Sequence, residues 1–358
     1  MHIKSIQLTN WRSHEKYAFD FGDITILVGQ NASGKTNFLE AIYYLACGRS
    51  FRTKDENLIG WETDFTRVSG LINRDDQEEE LLVVLENGDR LTKTVKIKEQ
   101  KVASSKLLGH LNCVLFTPEE IELIYTLPEA RRRYLNLIIS QSDINYAHNL
   151  IHFRRTLEHR NALLKKIFLG TARENELEIW DGKLAEYASF IMEKREEYIN
   201  SVNRYLPAHY ENLSGKKQKL EIIYKPSFPV SEGWAGLLTR LTESRSRDIL
   251  ARVTSIGPHR DDIAFTLDGR NVIEFASRGE FRTVILALKL AEVDFLTEKT
   301  GEKPVLLLDD VFSELDESRR DLLSQIFTHQ QTIVTTTDLD HVSKNILKTA
   351  SVVEMKHE

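Results

Sequence analysis

Little in this chain points to the cell exterior or to a membrane. Among 358 residues there are two cysteines, Cys47 and Cys113, each in apolar surroundings. So few exclude a disulfide framework, and two isolated thiols read as buried structural groups. No window offers the roughly 20 consecutive apolar residues that a membrane helix needs. The N-terminus lacks the apolar core of a signal peptide. A cytoplasmic protein without membrane partners is expected. Excess positive charge is missing too: 48 Lys and Arg stand against 54 Asp and Glu, a net charge of −6. That balance excludes tight nucleic-acid binding over the whole surface but leaves room for a local basic groove. There is no low-complexity tract, internal repeat, zinc finger or recognition-helix motif.

What is present is more specific. Gly29, Gln30, Asn31, Ala32, Ser33, Gly34, Lys35 and Thr36 fit G-x-x-x-x-G-K-[ST], the phosphate-binding loop of nucleoside triphosphatases. Ile24–Val28 before it is a short apolar, β-rich run, as a buried parallel strand requires. After it, Phe38, Leu39, Ile42 and Leu45 fall at helical spacing. The glycines let successive backbone N–H groups converge on the β- and γ-phosphates of ATP, and the helix adds the positive end of its dipole. Lys35 supplies a point charge to the phosphates, and Thr36 a hydroxyl to Mg²⁺. The alternative is a chance match in a glycine turn; the flanking strand and helix speak against it.

Residues 304–310 read Pro-Val-Leu-Leu-Leu-Asp-Asp, an apolar strand ending in two carboxylates. The middle of a buried strand cannot hold an unpaired carboxylate, but its C-terminal end opens onto the ligand crevice of an α/β sheet. This is how a Walker B strand reads, with Asp309 holding Mg²⁺ and Asp310 orienting or deprotonating the attacking water. Paired acids after a strand also suit a helix N-cap, and that reading stays open. Upstream, Ser277, Arg278, Gly279 and Glu280 precede a long apolar helical stretch, 284–295. They resemble the signature motif of ABC-type ATPases, in which a serine and a glycine at a helix N-terminus, here Ser277 and Gly279, grip the γ-phosphate of ATP held by the partner subunit. Alone, the same residues also make an ordinary N-cap. Ser313, Glu314, Leu315 and Asp316 resemble the D-loop that crosses the dimer interface in that class.

Other segments narrow the resemblance. Gly48-Arg49-Ser50-Phe51-Arg52 follows the first helix, and Gly257-Pro258-His259-Arg260-Asp261-Asp262 precedes a strand-like run at 263–267. The N-terminus carries Ile6-Gln7-Leu8-Thr9-Asn10-Trp11-Arg12, and the first helix Asn37-Phe38-Leu39-Glu40-Ala41-Ile42. With Leu288-Lys289-Leu290-Ala291-Glu292 and the block at 307–316, the chain closely resembles the RecF family from residue 1 to about residue 350. These are bacterial recombination-repair ATPases related to the heads of SMC proteins. The resemblance implies an α/β fold: an ABC-type P-loop ATPase head with an inserted α-helical arm domain. It adds Arg12 and Asn37 to the nucleotide site, and gives Lys35 and Asp310 catalytic roles. It implies a weak DNA-dependent ATPase of DNA replication and the DNA-damage (SOS) response. An ATP-dependent homodimer would bind DNA at single-strand gaps and, with RecO and RecR, load RecA. Several residues depart from the ABC pattern. Glu280 stands where glutamine is expected, and Asp310 where glutamate is usual. Residues 332–337 are followed by Asp338 instead of a switch histidine, with His341 further on. Phe116-Thr117-Pro118-Glu119-Glu120 occupies the place of a Q-loop and has no glutamine. Slow hydrolysis is expected.

Three segments are expected: ATPase head at 1–117, helical arm at 118–254, and the rest of the head at 255–358. Leu150, Phe153, Leu157 and Leu164 line one helical face; Leu177, Trp180, Leu184, Tyr187, Ile191, Tyr198, Val202 and Tyr205 follow near-heptad spacing. The stripe reads as core in preference to a base-stacking platform, with Gly170, Thr171 and Ala172 as the turn between two helices. The arm is too short for an SMC coiled coil. Candidate DNA contacts are Arg49, Arg52 and Lys54; Lys93, Lys96, Lys98 and Lys101; and Arg131, Arg132 and Arg133. The last three open a helical pattern, where the dipole disfavours cations. Three rival readings are a DNA clamp for which ATP is only a binding switch, a transporter ATPase, and an SMC-like nuclease. The arm and the missing Q-loop glutamine oppose the second. The third needs a nuclease domain, for which little chain remains after the Walker B strand.

Overall fold

The computed structural model describes residues 1–74, 77–327 and 329–355, without the side chains of Glu314, Ser318, Gln325, Ile326 and Phe327. The chain opens with the strands β1 (His2–Trp11), β2 (His14–Asp20) and β3 (Ile24–Val28), then helix α1 (Lys35–Cys47). Strands β4 (Phe65–Arg74), β5 (Gln77–Glu86), β6 (Thr92–Ile97), β7 (Gln100–Val102) and β8 (Cys113–Phe116) follow. Helices α2 (Glu122–Tyr125), α3 (Pro128–Ser142), α4 (Ile144–Phe168) and α5 (Leu177–Ser214) come next. After them run β9 (Leu220–Lys225), α6 (Gly233–Glu243), α7 (Arg245–Ala251), β10 (Asp262–Leu267), β11 (Arg270–Asn271) and α8 (Val272–Phe275). The last stretch holds α9 (Arg278–Thr300), β12 (Val305–Asp309), α10 (Glu317–Phe327), β13 (Thr332–Thr336), α11 (Lys344–Leu347) and β14 (Ser351–Glu354). Among the described residues no helix is long and apolar enough to cross a membrane.

Two compact units result. The head is Met1–Ile121 with Ile285–Glu358, and the arm is Glu122–Val284. In the head, a five-stranded parallel sheet runs β14-β3-β13-β12-β8. Its central strands are buried along their length because both faces are covered. The second head sheet, β2-β1-β4-β5-β6-β7, is antiparallel and alternates instead. On β5, Leu81, Val83 and Leu85 are buried while Leu82 and Val84 face outward half-buried. The inner face rests on α1: the rings of Tyr17 and Phe19 lie 5.4 and 5.9 Å from Phe38. Gly70 lets this contact close, since a Cβ there would lie 2.5 Å from the Leu45 side chain.

The arm is built on α4 and α5, joined through a turn with Gly170 at φ 72°. Helix α5 has 38 residues, about 57 Å at 1.5 Å per residue, with Pro207 inside it. Leu177, Leu184, Ile191, Tyr198 and Val202 are buried, so the stripe is core. Trp180 and Tyr187 stack on His159 and His152 of α4. Polar groups are buried here too. Arg160 bonds Asp181 at 2.7 Å, and Asp248 and Thr254 at 2.8 Å each, and the three charged side chains have no exposure.

The arm extends further than the boundary expected at residue 254. Strand β9 cannot stand alone, and β10 pairs with it antiparallel from Asp262↔Lys225 to Leu267↔Leu220. Residues 255–284 therefore complete the arm, and the head resumes at Ile285, inside α9. Arg160→Leu tests the buried cluster. It leaves Asp248 buried without its cation and Asp181 with Arg245 alone, a change that costs about 3–5 kcal/mol. Urea denaturation should show that loss; a change within about 1 kcal/mol, the range of a surface pair, would mean the cluster is not what orders α4, α5 and α7.

Candidate nucleotide site

The carboxyl ends of β3, β13, β12 and β8 lie at one edge of the parallel sheet, where an open α/β sheet binds its ligand. The phosphate loop leaves β3 there. Gln30, Asn31 and Ala32 form its exposed crest, and Ala32 and Gly34 adopt φ 68° and 90°. A Cβ on Gly29 would stand 2.5 Å from the Met355 carbonyl oxygen and 2.7 Å from Ser33 Oγ. His14 packs beneath the loop, its Nε2 3.2 Å from the Gly34 carbonyl oxygen. Lys35 Nζ donates to the carbonyl oxygens of Gly29 at 2.7 Å and Gln30 at 2.8 Å. Ser33 Oγ is buried with no partner among the described residues. A cation held only by carbonyls beside an unpartnered hydroxyl is a site waiting for an anion. Burial lowers the pKa of Lys35, and the charges of Asp310 and Asp309 oppose that shift.

Asp309 ends β12 and accepts hydrogen bonds from Thr36 Oγ1 at 2.9 Å and Thr335 Oγ1 at 2.7 Å. Burial raises its pKa, and those two bonds and the charge of Arg52 pull it back. A buried carboxylate paired with a loop hydroxyl is an all-oxygen donor set that fits a hard cation such as Mg²⁺. Asp310 follows in a left-handed conformation, φ 49°. Its N–H donates to Thr335 Oγ1 at 3.0 Å and to the Thr335 carbonyl oxygen at 3.2 Å. Its Oδ1 is buried with no partner among the described residues. A strained residue with an unsatisfied carboxylate oxygen is a functional feature before it is a structural one.

Arg12 and Asn37 come together through a residue to which the sequence assigned no role. Glu40, fully buried on α1, accepts from Arg12 Nε at 2.5 Å and Nη2 at 3.0 Å, from Arg52 Nη2 at 3.1 Å, and from Ser50. Arg52 also donates to Asn37 Oδ1 at 2.7 Å, and Trp11 Nε1 to the Asn37 carbonyl at 2.8 Å. Arg52, expected at a DNA surface, thus sits over the first turn of the helix that leaves the phosphate loop. Arg49 lies half-buried in the turn after α1. Beyond β8, Glu120 is locked to Lys289 of α9 at 2.5 Å, which orders the segment that lacks a Q-loop glutamine.

Ser277 and Gly279 belong to the arm unit. Glu280 accepts from both the N–H and the hydroxyl of Ser277, each at 3.0 Å, while Ser277 Oγ accepts from the Glu280 N–H at 3.3 Å. That is a reciprocal capping box, and it gives the departure at Glu280 a physical role. In the D-loop, Ser313 Oγ donates to the Asp310 carbonyl oxygen at 2.8 Å and Asp316 pairs with Arg319 at 2.9 Å. The side chain of Glu314 lies outside the described residues. The arginine triplet needs correction as a DNA contact. Arg131 is buried and bonded to Asp262 at 2.7 and 2.9 Å, and Arg132 donates to the Asp261 carbonyl at 2.9 Å. Arg133 alone is exposed, paired with Glu129 at 3.3 Å. The missing explanation for cations at a helix start was Asp261 and Asp262, some 130 residues away in sequence. Gly29→Ala should test the loop. The added methyl group has no room, so ATP affinity should fall at least about tenfold, roughly 1.4 kcal/mol, with circular dichroism unchanged. Wild-type affinity by titration would show that the loop adapts.

Comparison with known proteins shows the family. Residues 2–358 match the family model described as the RecF/RecN/SMC N-terminal domain. The DNA replication and repair protein RecF of Lachnoclostridium phytofermentans is 37% identical over 99% of this chain and 98% of that protein. The RecF protein of Lactococcus lactis subsp. lactis is 38% identical over 98% and 97%. Among solved structures, the recombination mediator protein RecF-ATPrS in the RecFOR pathway superposes with a TM-score of 0.90 at 35% identity, covering 99% of this chain and 96% of that one. RecF-ATP of the same pathway gives 0.89 at 37%, covering 96% and 93%. An Smc head domain from Pyrococcus furiosus shares the fold, with a TM-score of 0.55 at 18% identity, covering 99% and 94%. The chain belongs to the RecF family of DNA replication and repair proteins, ATPases built on the SMC-type head.

Proposed function

We propose that this chain is an ATP-driven dimer that binds DNA at single-strand gaps during recombinational repair and hydrolyses ATP slowly. The observation that carries the reading is the buried, unpartnered Oδ1 of Asp310 beside Asp309 and the caged Lys35. In this reading the loop N–H groups and Lys35 receive the β- and γ-phosphates, and Thr36 and Asp309 hold Mg²⁺. Mg²⁺, when bound, neutralises charge on the phosphate oxygens. Asp310 orients the attacking water and takes its proton. Arg12 and Arg52, held by Glu40, add positive charge beside the first turn of α1.

Ser277 and Gly279 at the start of α9 grip the γ-phosphate of ATP bound to a second copy, so that ATP closes the dimer and hydrolysis opens it. The capping box around Ser277 presents a helix N-terminus to that anion. The similar RecF structures are described as recombination mediators of the RecFOR pathway. By that kinship this chain works with RecO and RecR, upstream of RecA.

Sizing by light scattering with ATP, beside a phosphate-release assay, tests the mechanism with two variants. Ser277→Arg should bind ATP yet stay monomeric and lose turnover. Asp310→Asn should dimerise and persist as a dimer, with hydrolysis reduced roughly 10²-fold, the value of a general base. Normal dimerisation of Ser277→Arg would remove the signature assignment. Undiminished hydrolysis by Asp310→Asn would mean another group activates the water.

A further inference from the structure

The antiparallel sheet of the head has a second face, turned away from α1. Strand register lines up two neighbouring rows across it. One row runs Ala18, Gln7, Ser69, Leu82, Lys96, Lys101; the next runs Lys16, Thr9, Arg67, Val84, Thr94. These rows hold four cations and no carboxylate. Asp20, Glu80 and Glu86 fall in the rows on either side. Lys16, Arg67 and Lys101 are exposed and Lys96 is half-buried. Among the described residues none of the four has an ion-pair partner. Other lysines of the same sheet are paired: Lys4 with Glu78, Lys93 with Asp55, Lys98 with Glu79. The uncompensated charge is therefore local to this band.

The band crosses five strand steps, about 24 Å at roughly 4.8 Å each. That length matches about seven base pairs at 3.4 Å per pair. Between the cations stand Gln7, Thr9 and Thr94, whose amide and hydroxyl groups donate to phosphate and sugar oxygens. Neither row contains an aromatic side chain; the flanking row adds one exposed ring, Phe65, where unpaired bases need a series of rings to stack on. The only large apolar groups, Leu82 and Val84, are half-buried, too little for the apolar centre of a protein interface. We propose that this face binds the phosphate backbone of duplex DNA, with Lys16, Arg67, Lys96 and Lys101 as the contacts. The inference rests on the DNA-binding reading above and gives it a surface, in place of the arginine triplet whose first two members are committed to the arm. A flat row of cations reads no base edges, so binding is blind to sequence.

The test is a duplex-DNA titration with ATP at several salt concentrations, for the wild-type chain and for the combined Lys16→Gln, Arg67→Gln, Lys96→Gln, Lys101→Gln variant. Each lost phosphate contact should reduce the log–log salt slope by about 0.9. Arg67→Gln alone should take one such step. ATP binding and DNA-free hydrolysis should stay at wild-type values, since none of the four touches the nucleotide site. A combined variant with wild-type affinity and slope would overturn the surface while leaving DNA binding itself intact. So would loss confined to single-stranded DNA, or loss of an acidic protein partner with duplex binding unchanged. A wild-type chain that binds no duplex at low salt with ATP would sink the underlying reading and the surface with it.

Discussion

The Lys35 ammonium is held by two backbone carbonyls at the end of a buried strand, and the architecture of the head serves that contact. Burial works against the charge, and Asp309 and Asp310 keep it in place. Both carboxylates can sit there because the parallel order β14-β3-β13-β12-β8 brings the end of the Walker B strand one strand away from the loop strand. Strand β13 lies between them and supplies Thr335, whose hydroxyl and carbonyl serve both acids.

Around that centre the unmet groups are as informative as the met ones. Among the described residues Ser33 Oγ and Asp310 Oδ1 are buried without protein partners, against the general rule for buried polar atoms. Asp310 also pays for a left-handed backbone. By contrast two buried arginines that have no part in the chemistry are each held by several partners. Arg160 meets two carboxylates and a hydroxyl; Arg195 bonds Asp261 at 3.0 Å, the Pro258 carbonyl at 2.7 Å and Asn136 at 3.0 Å.

Local features were legible from the sequence, and distant pairings were not. The strand, glycine loop and helix at 24–47 declare themselves because loop geometry depends on consecutive residues. The stripe from Leu177 to Val202 is core because its period belongs to one helix. Glu40 gave no such signal, since its partners Arg12 and Arg52 lie 28 and 12 residues away. The end of the arm was misplaced because a strand at 220–225 finds its partner only at 262–267. The run Arg131–Arg133 looked like a DNA contact because a charge run carries no mark of what it pairs with. Conversely, Lys16 and Arg67 stand alone in the sequence and come onto the same sheet face as Lys96 only through strand register.

Nucleotide binding depends on the caged ammonium of Lys35. Calorimetric titration of the Lys35→Ala variant with ATP and Mg²⁺ measures it directly. Loss of detectable nucleotide binding, with an unchanged melting transition in the absence of nucleotide, is the predicted result. Binding of wild-type strength would contradict the assignment of the phosphate loop and everything derived from it.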